Sequence, residues 1–145
     1  MVTLEFEIQI SASREQIWEA LWADANYRYW TEVFAMGSYA VTNNWLQGSE
    51  VQFLLPDGRG MYSLIEQHEP LERMCFRHLG SIAEGRREPF PPPADNRECY
   101  SLTDSGKGVR LSARLETEPE AEPFFNDRFP VALRRVKARA ESLKN

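Results

Sequence analysis

Val2, Leu4, Phe6, Ile8 and Ile10 alternate with Thr3, Glu5, Glu7 and Gln9, the period of a strand with one buried face. Ser13 and Gln16 have capping-box spacing, and Ile17, Trp18, Leu21 and Trp22 follow at helical intervals. The pattern therefore predicts a strand leading directly into a short helix. Asp24 is placed to cap a second short helix through Tyr27 and Trp30, and Gly37 releases the chain. Strands are expected over 38–42, over 50–55 with Val51, Phe53 and Leu55 on one face, and over 61–69, where Pro70 stops the run. Pro56-Asp57-Gly58 is a turn signal between the second and third of these. A further strand over 73–79 puts Met74, Phe76 and His78 in phase.

Residues 80–96 break this rhythm, because Pro89 and the run Pro91-Pro92-Pro93 cannot enter a central strand. The segment reads as a long loop, either a solvated excursion or a lid carrying Phe90. Residues 98–102 and 109–115 form a hairpin around Asp104-Ser105-Gly106-Lys107-Gly108, with Val109, Leu111, Ala113 and Leu115 inward. Phe125, Phe129, Leu133, Val136, Ala140 and Leu143 are spaced for a closing helix, which Pro130 is expected to restart or kink. One strand, two short helices, about six strands and a long helix describe an α+β domain spanning 1–145. An antiparallel meander that curves around the last helix leaves a space between the two.

Composition narrows the function classes. The 145 residues are 42% apolar and 27% charged, with a net charge of −5, which gives no basic face for nucleic acid. Arg134, Arg135, Lys137 and Arg139 alternate with Val136, Ala138 and Ala140 and read as a solvated helix surface. No apolar run reaches the ~18 residues of a membrane span and no signal-peptide pattern opens the chain, so a cytoplasmic setting is expected. His68 and His78 are the only histidines, and Cys75 and Cys99 lack metal-ligand spacing, so neither a metal nor a cofactor is expected.

The candidate chemistry is a lining. Aromatic residues make up 12% of the chain, and Trp22, Trp30, Phe53, Met74, Phe76, Tyr100, Phe125 and Phe129 fall on faces assigned inward. His78 and Glu98 share the phase of those apolar faces at strand ends beside the proline loop. They are either a pair at a cavity mouth, able to bind a polar head group, or groups exposed at the sheet edge. Ser63 and Ser101 lack a nucleophile elbow, and Gly58-Arg59-Gly60 has no phosphate-loop spacing, so no catalytic signal is present. The same phasing puts Cys75 across from Cys99 on the outer face if Phe76 faces Glu98. Opposed β-carbons lie about 4.5–5.5 Å apart against ~3.8 Å in a relaxed disulfide, so unbridged thiols are expected.

Ile10, Ala12, Trp18, Leu21, Trp30 and Gly48, then GMYSLIEQHEPLERMCFRH and ECYSLTDSGKGVRLSARLE, together resemble the START-like (SRPBCC) superfamily. Within it, the chain resembles the bacterial homologues of the activator of the heat-shock protein 90 ATPase, and FFNDRFPVALRRVKARAESL is similar to their last helix. The resemblance covers nearly the whole chain. It implies a helix-grip fold, with a curved antiparallel sheet around a long C-terminal helix and an apolar cavity between them. It also implies a small apolar or amphipathic ligand, lipid-like or aromatic. A chaperone partner is the alternative implication, although the activator's separate N-terminal domain has no counterpart here. A cofactor-free cyclase or hydrolase using His78 and Glu98 is the third.

Overall fold

The computed structural model describes residues 1–92 and 96–143. The first turn of the chain forms as its spacing predicts. Strand β1 (Val2–Ile10) leads to helix α1 (Arg14–Trp22), where the Ser13 hydroxyl accepts from the Gln16 backbone and the Gln16 side chain accepts from the Ser13 backbone. Helix α2 (Asp24–Thr31) begins one residue earlier than expected. Ala23 is its cap, and Asp24 lies in the first turn, where it pairs with Arg28 at 3.0 Å and suits the positive end of the helix dipole.

Seven further strands follow: β2 (Tyr39–Thr42), β3 (Glu50–Leu54), β4 (Gly60–Glu69), β5 (Arg73–Ala83), β6 (Arg86–Pro89), β7 (Arg97–Ser105) and β8 (Gly108–Thr117). All pairings are antiparallel, in the order β1-β8-β7-β5-β4-β3-β2, with β6 on the far half of β5. Strand β5 is thus long enough to hold β7 along residues 73–77 and β6 along residues 80–83.

The expected loop at 80–96 is therefore partly a hairpin. Glu84 and Gly85 both take positive φ, as a two-residue hairpin turn requires. Pro89 is tolerated because it closes a short edge strand, where its missing N–H breaks no interior ladder. Phe90 is tied to the same edge through its N–H to the Leu79 carbonyl. Pro93, and with it the end of the proline run, lies outside the described residues.

Two irregularities in the β4–β5 pairing bend the sheet. Leu79 is an extra residue between Gly80, opposite Tyr62, and His78, opposite Ser63; Glu66 is extra on β4. Across the inner face lies α3 (Glu122–Ser142), entered through a tight 3₁₀ turn at Pro119–Ala121. Phe129, Ala132, Leu133, Val136 and Ala140 are its buried stripe, packed with Leu4, Ile10, Leu111 and Ala113 from the sheet and Ile17 and Leu21 from α1. The helix runs continuously through Pro130, against the expected restart. The lost backbone hydrogen bond is offset by apolar residues buried on either side of it, Phe129 and Leu133.

The basic residues of α3 do more than meet water. Arg135 donates to the Tyr29 carbonyl and Arg139 to Asn26 Oδ1, and both guanidiniums lie over the Tyr29 ring. Lys137 reaches the Gln9 carbonyl at the end of β1. These side chains latch the helix to α2 and β1.

The cysteine register is as expected, with Phe76 opposite Glu98, Met74 opposite Tyr100 and Cys75 opposite Cys99. The expectation of free thiols is not met: Cys75 and Cys99 form a disulfide. Their α-carbons are only 4.1 Å apart, at the close end of antiparallel pairing, where side chains approach nearer than the average spacing used to exclude a bridge.

Candidate functional site: an aromatic cavity with a buried carboxylate

The space between the sheet and α3 is a cavity of about 370 Å³, inside the range of small-molecule pockets. Its walls come from every layer: Trp22, Tyr27 and Trp30 from α1 and α2, Phe53 and Phe76 from the sheet, and Phe125 and Phe129 from α3. The rings brace one another. Trp22 meets Trp30, Phe76 and Tyr100 edge-on, Phe53 meets Phe76 at 5.2 Å, and Phe129 stacks on Phe6 at 4.8 Å. Indole donors fix the rings from within and behind: Trp30 Nε1 donates to the Leu21 carbonyl, and Trp45, outside the wall, donates through Nε1 to the Trp22 carbonyl. A wall so fixed is preorganised to hold an apolar body.

One end of the cavity is polar. Adjacent strands β4, β5 and β7 bring Ser63, His78 and Glu98 into a line: Ser63 Oγ is 2.6 Å from His78 Nδ1, and His78 Nε2 is 3.0 Å from Glu98 Oε1. The Tyr100 hydroxyl donates to the other carboxylate oxygen, Oε2. The alternation places these groups here. Phe76 and His78 point inward from β5, as do Glu98 and Tyr100 from β7. The bulge at Leu79 then sets His78 opposite Ser63. His78 and Ser63 are buried, whereas the Glu98 side chain keeps 24% of its surface open.

Burial works against the Glu98 charge, while the hydrogen bonds from His78 and from the Tyr100 hydroxyl favour it, and the carboxyl lies below its ordinary value. Tyr100 and Tyr27 are pushed well above the usual phenol value by burial and then by the Glu98 charge. The arrangement is a fixed acceptor. Glu98 is ionised, and a buried carboxylate in that state calls for donors.

Nine of the ten residues singled out from the sequence lie along this cavity: Trp22, Trp30, Phe53, Phe76, His78, Glu98, Tyr100, Phe125 and Phe129. Met74 does not. It shares the inward phase, but it lies beneath the end of α1, fully buried, and lines a shallow cleft with Trp18, Trp45 and His68 instead. Ser63 was set aside for lacking a nucleophile elbow, although its alternation with Met61 and Ile65 on an apolar face marks a buried polar group. The expectations omitted Tyr27, Phe34 and Met61, and Phe124 at the rim, 40% exposed. Among the described residues no cluster of side chains suits a metal ion, and no helix is long and apolar enough to cross a membrane.

Solved structures share this architecture from end to end. The Aha1 dimer of Colwellia psychrerythraea matches at TM-score 0.73 and 20% identity, covering 100% of both chains. Protein MLL2253 of Mesorhizobium loti matches at 0.75 and 16% identity, over 99% of this chain and 100% of the other. The chain has the helix-grip fold that these structures share. A protein of Rhodobacter sphaeroides gives 0.68 at 22% identity, over 99% of this chain and 95% of its own. No family model matches this chain, and no curated protein does. At such identities the likeness is one of fold, and function has to be argued from the cavity.

Proposed function

We propose that this chain is a small-molecule binding protein that holds an apolar or amphipathic ligand, lipid-like or aromatic, between the sheet and α3. The observation that carries the reading is the cavity itself: walled mainly by aromatic rings, with a few polar groups, His78 and Glu98 among them, set into the wall. That is the division of labour of a ligand pocket, in which apolar walls give affinity and a few placed polar groups give orientation. The proposed binding residues are Trp22, Trp30, Phe53, Phe76, His78, Glu98, Tyr100, Phe125 and Phe129. Screening lipids, flavonoids and other aromatic molecules by chemical-shift perturbation tests it. Binders are expected to shift Trp30, Phe76, Tyr100 and Phe129. A broad library that shifts nothing, or surface positions only, overturns the reading.

The likeness to the Aha1 dimer supports a second reading, a protein-interaction module acting as a chaperone cofactor. A pull-down or ATPase assay with the cognate heat-shock protein separates the two. The third reading, a cofactor-free cyclase or hydrolase, requires His78 and Glu98 to act together, and a His78→Ala variant that leaves every detected turnover unchanged removes it. A cytoplasmic setting belongs with the proposal.

A further inference from the structure

We infer that the ligand of this cavity is a cation: an amphipathic amine whose ammonium group sits against Glu98 while its apolar body lies among the aromatic rings. The inference rests on the binding reading above and names the chemistry of its ligand. It starts from Ser63. That side chain is 0% exposed, and among the described residues His78 Nδ1 is the one hydrogen-bond partner of its hydroxyl. A buried hydroxyl proton needs an acceptor, so it is donated to Nδ1. His78 is then the neutral tautomer with its proton on Nε2, which it donates to Glu98 Oε1. The Tyr100 hydroxyl, also neutral, donates to Oε2. Glu98 thus receives two hydrogen bonds and no formal positive charge.

Each carboxylate oxygen can accept more than one hydrogen bond, so Glu98 retains acceptor capacity on its open side. Nothing among the described lining residues neutralises it, since neither lysine nor arginine lines the cavity. The nearby guanidinium of Arg128 lies over the Phe124 ring at the rim and donates to the Val33 carbonyl. An uncompensated carboxylate in a water-poor, ring-walled space selects strongly by charge. It favours an ammonium, which also gains from the faces of Phe76, Phe53 and Tyr100, and repels a carboxylate or phosphate head group.

The test uses three ligands with one body: naphthylmethylamine, naphthylmethanol and naphthylacetate, titrated near neutral pH by chemical-shift perturbation and calorimetry. The expected order is amine, alcohol, carboxylate, with the amine at least about tenfold tighter than the carboxylate. In Glu98→Gln the amine is expected to lose roughly that factor while the alcohol changes less than about threefold. The amide spectrum of the variant reports whether it is folded, and the order in the unaltered protein decides the sign regardless. A carboxylate binding as tightly as the amine overturns the inference, as does an amine preference that survives in Glu98→Gln. If all three shift the cavity residues equally, the cation is refuted and the cavity reading stands. If none shifts them, the cation is refuted too, and the broad screen then decides the cavity reading separately.

Discussion

Ser63→Ala removes a single oxygen from the interior and tests the hydrogen-bonded line on which the polar end of the cavity depends. In the native protein the Ser63 hydroxyl sits 2.6 Å from His78 Nδ1, with Ser63 0% and His78 6% exposed. Alanine leaves that nitrogen buried without a donor and beyond the reach of bulk water. An orphaned buried polar group costs about 1–3 kcal/mol, far more than the fraction of a methylene's packing lost with the oxygen. With a urea m-value of about 2 kcal/mol per molar, the unfolding midpoint should fall by roughly 0.5–1.5 M. Ser112→Ala, on the outer face of β8, supplies the comparison and should stay within about 0.5 kcal/mol. Long-range proton–nitrogen spectra of the native His78 ring should show Nε2 protonated and Nδ1 bare. A Ser63→Ala variant as stable as Ser112→Ala, or a native ring protonated at Nδ1, refutes the reasoning.

Phe129→Ala deletes a ring 2% exposed that stacks on Phe6, and should cost about 3–5 kcal/mol in chemical denaturation. Reducing the Cys75–Cys99 bridge releases a loop with a sequence separation of 24 and should lower stability by roughly 3 kcal/mol, read as the midpoint difference with and without reductant. Glu98 has a lowered pKa when folded, so its contribution is present above the unfolded carboxyl value and lost as pH falls through the folded one. The stability difference between the native protein and Glu98→Gln should therefore shrink on acidification below about pH 4.3; a difference independent of pH contradicts the ionised carboxylate.

Alternation and helical spacing were enough to read most of the architecture. The inward phase of Met74, Phe76 and His78 against Glu98 and Tyr100 set the faces of β5 and β7, because a shift of one residue would turn every apolar side chain outward; a shift of two would not, so the register stood only as a condition that the structure meets. What stayed hidden was local geometry that carries no period. The bulge at Leu79 decides that His78 meets Ser63, and one extra residue in a strand leaves no mark on the apolar pattern. The prolines concealed β6, since Pro89 argues against a central strand but not against the end of an edge strand. Met74 has the right phase and the wrong depth along its strand, which alternation cannot report. Ser63 was visible as a serine on an apolar face, yet its importance depends on a partner 15 residues away.

The central claim is that the space beneath α3 holds a small molecule. Native mass spectrometry of the protein, purified without detergent and then incubated with the ligand library, tests it most directly. The expected result is a one-to-one species heavier than the bare chain by a single small molecule and released on mild activation. Bare protein alone, in every preparation and with every compound offered, contradicts it.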